Sequence, residues 1–102
     1  MTNDEMIAFV RSKLPDDELL CQLAEEAAEL AQAALKYRRV LKQNNPTPVD
    51  EETALRNLAE EVADTINCVE CLNMNKGIVG GAVEAFKSDK RRRWVKRLGG
   101  EP

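Results

Sequence analysis

The chain contains no histidine, only two serines and few aromatic residues, which make up 4% of its 102 residues. Without histidine there is no Ser-His or Cys-His nucleophile pair and no imidazole ligand for a metal, and neither Ser12 nor Ser88 lies in a nucleophile-elbow context. One Trp, one Tyr and two Phe are too few for a platform of stacked rings, so the core must be built from aliphatic side chains. No run of about 18 apolar residues is present, which excludes a membrane-spanning helix. The acidic start, Met1-Thr-Asn-Asp-Glu, lacks the basic and apolar regions of a signal peptide, and a cytoplasmic protein is expected. Strand-like alternation is also missing. What remains, at 43% apolar and 32% charged residues, fits one soluble domain over residues 1–102, with any acid–base or metal chemistry resting on carboxylates.

The three cysteines, Cys21, Cys68 and Cys71, are odd in number and read as reduced thiols packed as small hydrophobes. Cys68-Val-Glu-Cys71 matches C-x-x-C but has no second pair to complete a zinc site. Charge is unevenly placed: residues 1–86 hold 8 Lys/Arg against 16 Asp/Glu, whereas residues 87–102 hold 7 against 2. An acidic body calls for a cation, and a basic tail for an anion.

Apolar residues recur at three and four positions, so the fold class is all-α with four helices. A short helix is expected over 4–13, with Ile7 and Val10 inward, ended by Leu14-Pro15. A long second helix, capped by Asp16 or Asp17, should run to about Leu41 and stop before the loop at 43–48. The third should start near Asp50 and reach about Asn75, closed by Lys76-Gly77, with Gly77, Gly80 and Gly81 forming a turn. The last should carry Val83, Phe86, Trp94 and Leu98 and fray at Gly99-Gly100. The two long helices are expected to pack antiparallel.

On a helical wheel Leu19, Leu23, Leu30, Tyr37 and Leu41 share one direction to within about 20°, and Glu26 lies only about 40° from Leu30. A carboxylate inside an apolar stripe is costly unless it has a partner. Glu29 follows about 60° further round, with Gln22 between the two, while Glu25 turns toward solvent beside Gln32 and Lys36. The third helix repeats the pattern: Leu55, Leu58, Val62, Ile66 and Val69 form a stripe with Glu61 at its edge and Asp64 one turn on, and Glu60 points away near Asn67. E-E-x-x-E alone also describes an ordinary solvated face. Its recurrence on a second helix makes Glu26, Glu29, Glu61 and Asp64 candidate ligands of a hard cation, Mg²⁺ or Mn²⁺.

Leu23-Ala-Glu25-Glu26-Ala-Ala-Glu29 and Glu60-Glu61-Val-Ala-Asp64 resemble the E-E-x-x-E and E-x-x-D signature of the MazG-like all-α nucleoside triphosphate pyrophosphohydrolases. The likeness covers roughly residues 19–98, with 31 residues, Leu30 to Glu60, between the motifs. It implies cleavage between the α- and β-phosphates, with Glu26, Glu29, Glu61 and Asp64 as metal-binding and catalytic acids and Glu25 a lesser candidate. Lys87, Lys90, Arg91 and Arg93, with Lys36, are the nearest donors for phosphates, and Gln22 and Asn67 are candidates to contact the base or orient a ligand. A second apolar stripe, Leu20, Ala24, Ala28, Ala31 and Leu35, leads us to expect a homodimer or tetramer, a helical-bundle homo-oligomer. The competing reading is a small nucleic-acid-binding or regulatory protein using Lys87–Arg97; the acidic body argues against it.

Overall fold

A computed structural model describes residues 1–43, 49–74 and 77–102, the side chains of Gly77 and Ile78 excepted. It holds four α-helices: α1 (Asn3–Lys13), α2 (Asp16–Lys42), α3 (Glu51–Cys71) and α4 (Gly77–Arg97). The all-α, four-helix expectation is met. No helix among the described residues is long and apolar enough to cross a membrane. Residues 44–48 of the expected loop, and Asn75-Lys76, lie outside the described residues.

Local chemistry sets the helix ends. Thr2 and Glu5 form a capping box, Thr2 Oγ1 accepting from the Glu5 N–H at 3.1 Å and Glu5 Oε1 from the Thr2 N–H at 3.0 Å. The cap of α2 is Pro15, not Asp16 or Asp17: its extended backbone suits the position before the first helical residue, and Asp16, Asp17 and Glu18 instead face the positive end from within the first turn. Asp50 caps α3, its carboxylate accepting from the Thr53 N–H at 2.7 Å. α3 stops at Cys71, short of the expected Asn75, because Asn73 takes a left-handed conformation with φ 61°.

Two glycine expectations need correction. Gly77, Gly80 and Gly81 do not form a turn but open α4; glycine weakens a helix by only about 1 kcal/mol, and the Ala-, Lys- and Arg-rich residues after them carry the helix. Gly99-Gly100 does not fray. The Gly100 N–H donates to the Val95 carbonyl at 2.9 Å and the Gly99 N–H to that of Lys96 at 3.0 Å, a Schellman closure whose φ of 88° at Gly99 needs glycine.

Contacts divide the chain into two units, Met1–Leu72 and Asn73–Pro102. In the first, α3 packs along α2 and also against α1. Leu19 and Gln22 near the start of α2 share a groove with Asn67 and Cys68 near the end of α3, whereas Glu26 meets Glu61, so the two helices run antiparallel. Arg11 Nη1 donates to the Cys71 carbonyl, tying α1 to an end of α3 that needs a donor. Among the described residues, the buried hydrophobic core consists of Leu19, Ala54 and Cys68.

Burial on α3 is rotated from its apolar stripe. Ala54, Glu61, Thr65 and Cys68 turn inward, while Leu55 (48% exposed), Val62 and Ile66 (47%) do not. On α2, Leu20 (54%) and Leu35 (55%) are equally open, and Leu41 at the end of its expected stripe is exposed. In an antiparallel pair Leu20 and the α3 set, about 100° from the contact line in the same sense, fall on one flank of the hairpin, while Leu35, about 160° round, lies on the outer side of α2. Glu29 and Asp64, about 180° from Leu20 and Leu55 on their own helices, fall on the other. The thiols divide similarly: Cys68 is buried and Cys71 half-buried, but Cys21 is exposed and does not pack as a hydrophobe.

Candidate metal centre

Glu26 and Glu29 sit one turn apart on α2, and Glu61 faces them from α3. Carboxylate oxygens of all three lie within 4.8 Å of one another. Glu26 and Glu61 are half-buried and Glu29 is exposed, so the cluster lies at the mouth of the interhelical groove. Three acids converging from two helices need a cation between them or a proton among them.

The oxygens are unequally satisfied. Glu26 Oε1 accepts from Gln22 Nε2 at 2.9 Å, while Glu26 Oε2 and Glu61 Oε2 are buried and have no hydrogen-bond partner among the described residues. Thr65, the nearest hydroxyl along α3, does not reach the carboxylate: its Oγ1 donates to the Glu61 backbone carbonyl at 2.9 Å. Buried carboxylate oxygens normally have a donor or a metal. Two orphaned oxygens from facing helices therefore fit a hard, oxygen-seeking ion in both number and type.

The electrostatics agree. The Gln22 hydrogen bond alone would lower the pKa of Glu26. Burial, the charges of Glu29 and Asp64, and a carboxyl–carboxyl contact with Glu29 outweigh it and hold Glu26 above its ordinary value. Cys68 beneath the cluster is pushed up by burial first and then by the charges of Glu26, Cys71 and Asp64.

Of the candidates read from the sequence, Glu26, Glu29 and Glu61 come together. Asp64 is exposed and outside the 4.8 Å set, though close enough to act on Glu26. Glu25 is exposed and accepts from the Cys21 thiol at 3.9 Å, and Glu60 is exposed. Gln22 contacts the cluster directly; Asn67 is exposed and shares the groove that Gln22 lines. Lys36 is exposed on α2, about two turns beyond Glu29. Lys87, Lys90, Arg91 and Arg93 belong to the second unit, where with Trp94, Lys96 and Arg97 they line a basic surface depression on α4; Lys87 also pairs with Glu84 at 3.2 Å. Periodicity turned Ile7 and Val10 of α1 inward but did not disclose that they, with Leu14 at its C-cap, wall the groove beside Gln22.

No protein-family model, curated protein or solved structure matches the chain. The fold and site together define a small all-α protein with a surface acidic cluster able to chelate a divalent cation.

Proposed function

We propose that the protein is a Mg²⁺-dependent nucleoside triphosphate pyrophosphohydrolase of the MazG-like kind, with Mn²⁺ an alternative ion, releasing a nucleoside monophosphate and pyrophosphate. The observation that carries this is the set of three glutamate oxygens within 4.8 Å, two of the acids each holding a buried oxygen that nothing else satisfies. Glu26, Glu29 and Glu61 hold the cation, and Asp64, matching the last acid of E-x-x-D, is the fourth ligand. A divalent ion held by these acids would supply positive charge against a phosphate and would make water a better nucleophile. The chain's own contribution is fixed placement: acids carried by two packed helices hold their positions better than acids on a loop.

The experiment is a panel of nucleoside triphosphates incubated with and without Mg²⁺ and followed by ³¹P NMR. Pyrophosphate together with the monophosphate, only when metal is present, is the expected result. Orthophosphate as the product, or no turnover of any nucleotide, would overturn the reading.

We infer further that the hairpin's apolar flank takes a second copy of this chain, giving a homodimer or, by pairing of dimers, a tetramer. Leu20, Leu55, Val62 and Ile66 are all exposed on that flank, opposite Glu29 and Asp64, so self-association would leave the carboxylates open. Light scattering giving a monomer at micromolar concentration would contradict it.

One observation favours a second reading. The depression on α4, lined by six Lys/Arg and by Trp94, has the charge and the ring that a nucleic-acid contact uses. A salt-sensitive shift of a labelled duplex, without metal-dependent pyrophosphate release, would favour that alternative.

A further inference from the structure

The second unit holds the chain's most basic segment. Residues 87–102 carry 7 Lys/Arg against 2 Asp/Glu, and all seven cations fall on α4 between Lys87 and Arg97. Lys87 pairs with Glu84 at 3.2 Å, whereas none of the other six has an ion-pair partner among the described residues. Two open rings stand among them. Phe86 and Trp94 are each 61% exposed, the kind of apolar surface that marks a contact site when it is gathered in one place.

The helix sets rings and cations on the same face. At about 100° per residue Lys90 lies about 40° from both Phe86 and Trp94 and midway between them, with about 12 Å of axis separating the two rings. Lys87, Arg91 and Arg97 lie within about 60° of Trp94, whose indole stands with them in the surface depression. The turn that carries Trp94 and Arg97 is held closed: the Leu98 N–H donates to the Trp94 carbonyl at 3.2 Å and the Gly100 N–H to that of Val95 at 2.9 Å. Ring and cations therefore meet a ligand already in register.

We propose that this face of α4 is a binding site for single-stranded nucleic acid, with Trp94 and Phe86 stacking on unpaired bases and Lys90, Arg91, Arg93 and Arg97 meeting the phosphates. The inference rests on the nucleic-acid reading of α4, deepens it by naming the form of the partner, and makes no use of the metal centre. A duplex covers the faces of its bases, so it satisfies the cations but leaves the indole without a stack unless base steps are opened. A helix lying on an anionic membrane keeps its rings on one face and its cations on the other. On α4 rings and cations alternate along one arc, and Arg92 and Lys96 charge the opposite side. Unpaired bases offer each ring a π-face whatever the sequence, and the strand that joins them carries the phosphates the cations need.

Trp94 is the chain's one tryptophan, so its fluorescence reports stacking at this position alone. The test is titration of the intact chain, with EDTA present, by a short oligothymidylate, by a duplex of the same length, and by vesicles of equal parts phosphatidylserine and phosphatidylcholine. Oligothymidylate should quench the indole saturably and bind several-fold more tightly than the duplex. Four phosphate contacts predict a slope of about −2.8 in log affinity against log salt, or about 50-fold weaker binding at 200 than at 50 mM. By anisotropy of a labelled strand, Trp94→Leu should bind about 5- to 150-fold more weakly, Trp94→Phe should recover part of that loss, and Lys42→Gln on α2 should bind like the parent. Because Trp94 is open to solvent, its variants should keep the parent's helix content by circular dichroism. Equal affinity for duplex and single strand, or unchanged affinity in Trp94→Leu, overturns the single-strand site and leaves the nucleic-acid reading of α4 in place. Binding of neither polynucleotide, whether or not the vesicles are bound, overturns both.

Discussion

Glu61→Gln preserves the shape and volume of a half-buried side chain while removing one of three charges packed within 4.8 Å, and it bears directly on what the cluster is for. Without metal the variant should be at least as stable as the parent, because the remaining acids repel one another less and a neutral amide replaces a carboxylate whose Oε2 has no partner. With metal the order should reverse. A cation at 100 times its Kd stabilises the folded parent by about 2.7 kcal/mol, worth on the order of 10 to 20 °C in Tm for a unit of this size. Loss of an outer partner of a metal ligand already weakens binding by about 10- to 100-fold, and loss of a ligand should cost no less. A 100-fold loss leaves the same cation concentration at the new Kd, where stabilisation is about 0.4 kcal/mol, or about 2 to 3 °C. The assay is thermal unfolding by circular dichroism with and without Mn²⁺ at constant ionic strength. Glu60→Gln, outside the cluster, should keep the full metal-induced rise. Equal rises in the parent and in Glu61→Gln would refute the assignment.

Since Glu26 titrates above its ordinary value, protonation favours the folded apo protein: Tm without metal should rise as pH falls through that raised pKa toward the ordinary glutamate range, and with Mn²⁺ it should fall over the same window as the proton displaces the ion. Further acidification should lower Tm in both cases, because Asp50 and Glu5, held below their ordinary values by hydrogen bonds to the Thr53 and Thr2 backbones, then lose those caps; a pH series of melts checks both limbs. Leu19→Ala removes the largest side chain of a very small core and should cost about 2 to 5 kcal/mol, read from urea unfolding. Ile66→Asp charges the open apolar flank and should convert the proposed dimer to monomer in light scattering with little loss of monomer stability, Ile66 being 47% exposed.

The helices and the inward turn of Glu26 were legible in the sequence because both are local: the 3.6-residue period fixes which side chains share a direction, and Glu26 shares that of Leu30. The start of α1 was equally available in Thr2-x-x-Glu5, a capping-box pattern that places the first helical residue at Asn3. Position on α3 was harder to read. Its apolar stripe points partly to the open flank, because the contact with α2 uses the small residues Ala54 and Cys68, and period alone does not rank small packed residues below large exposed ones. The glycines of α4 misled because their helix cost is modest and their turn preference is not obligatory. The groove was invisible for another reason: it exists because Arg11 ties α1 to the Cys71 carbonyl, a contact spanning 60 positions that no local pattern encodes.

Anomalous diffraction from crystals soaked in Mn²⁺ would test the metal centre most directly. The account predicts a peak between α2 and α3 with oxygens of Glu26, Glu29 and Glu61 in its coordination sphere, Oε2 of Glu26 and Glu61 among them, and Gln22 still bonded to Glu26 Oε1. A crystal that takes up Mn²⁺ elsewhere, or not at all, with the three carboxylates turned apart, would contradict it.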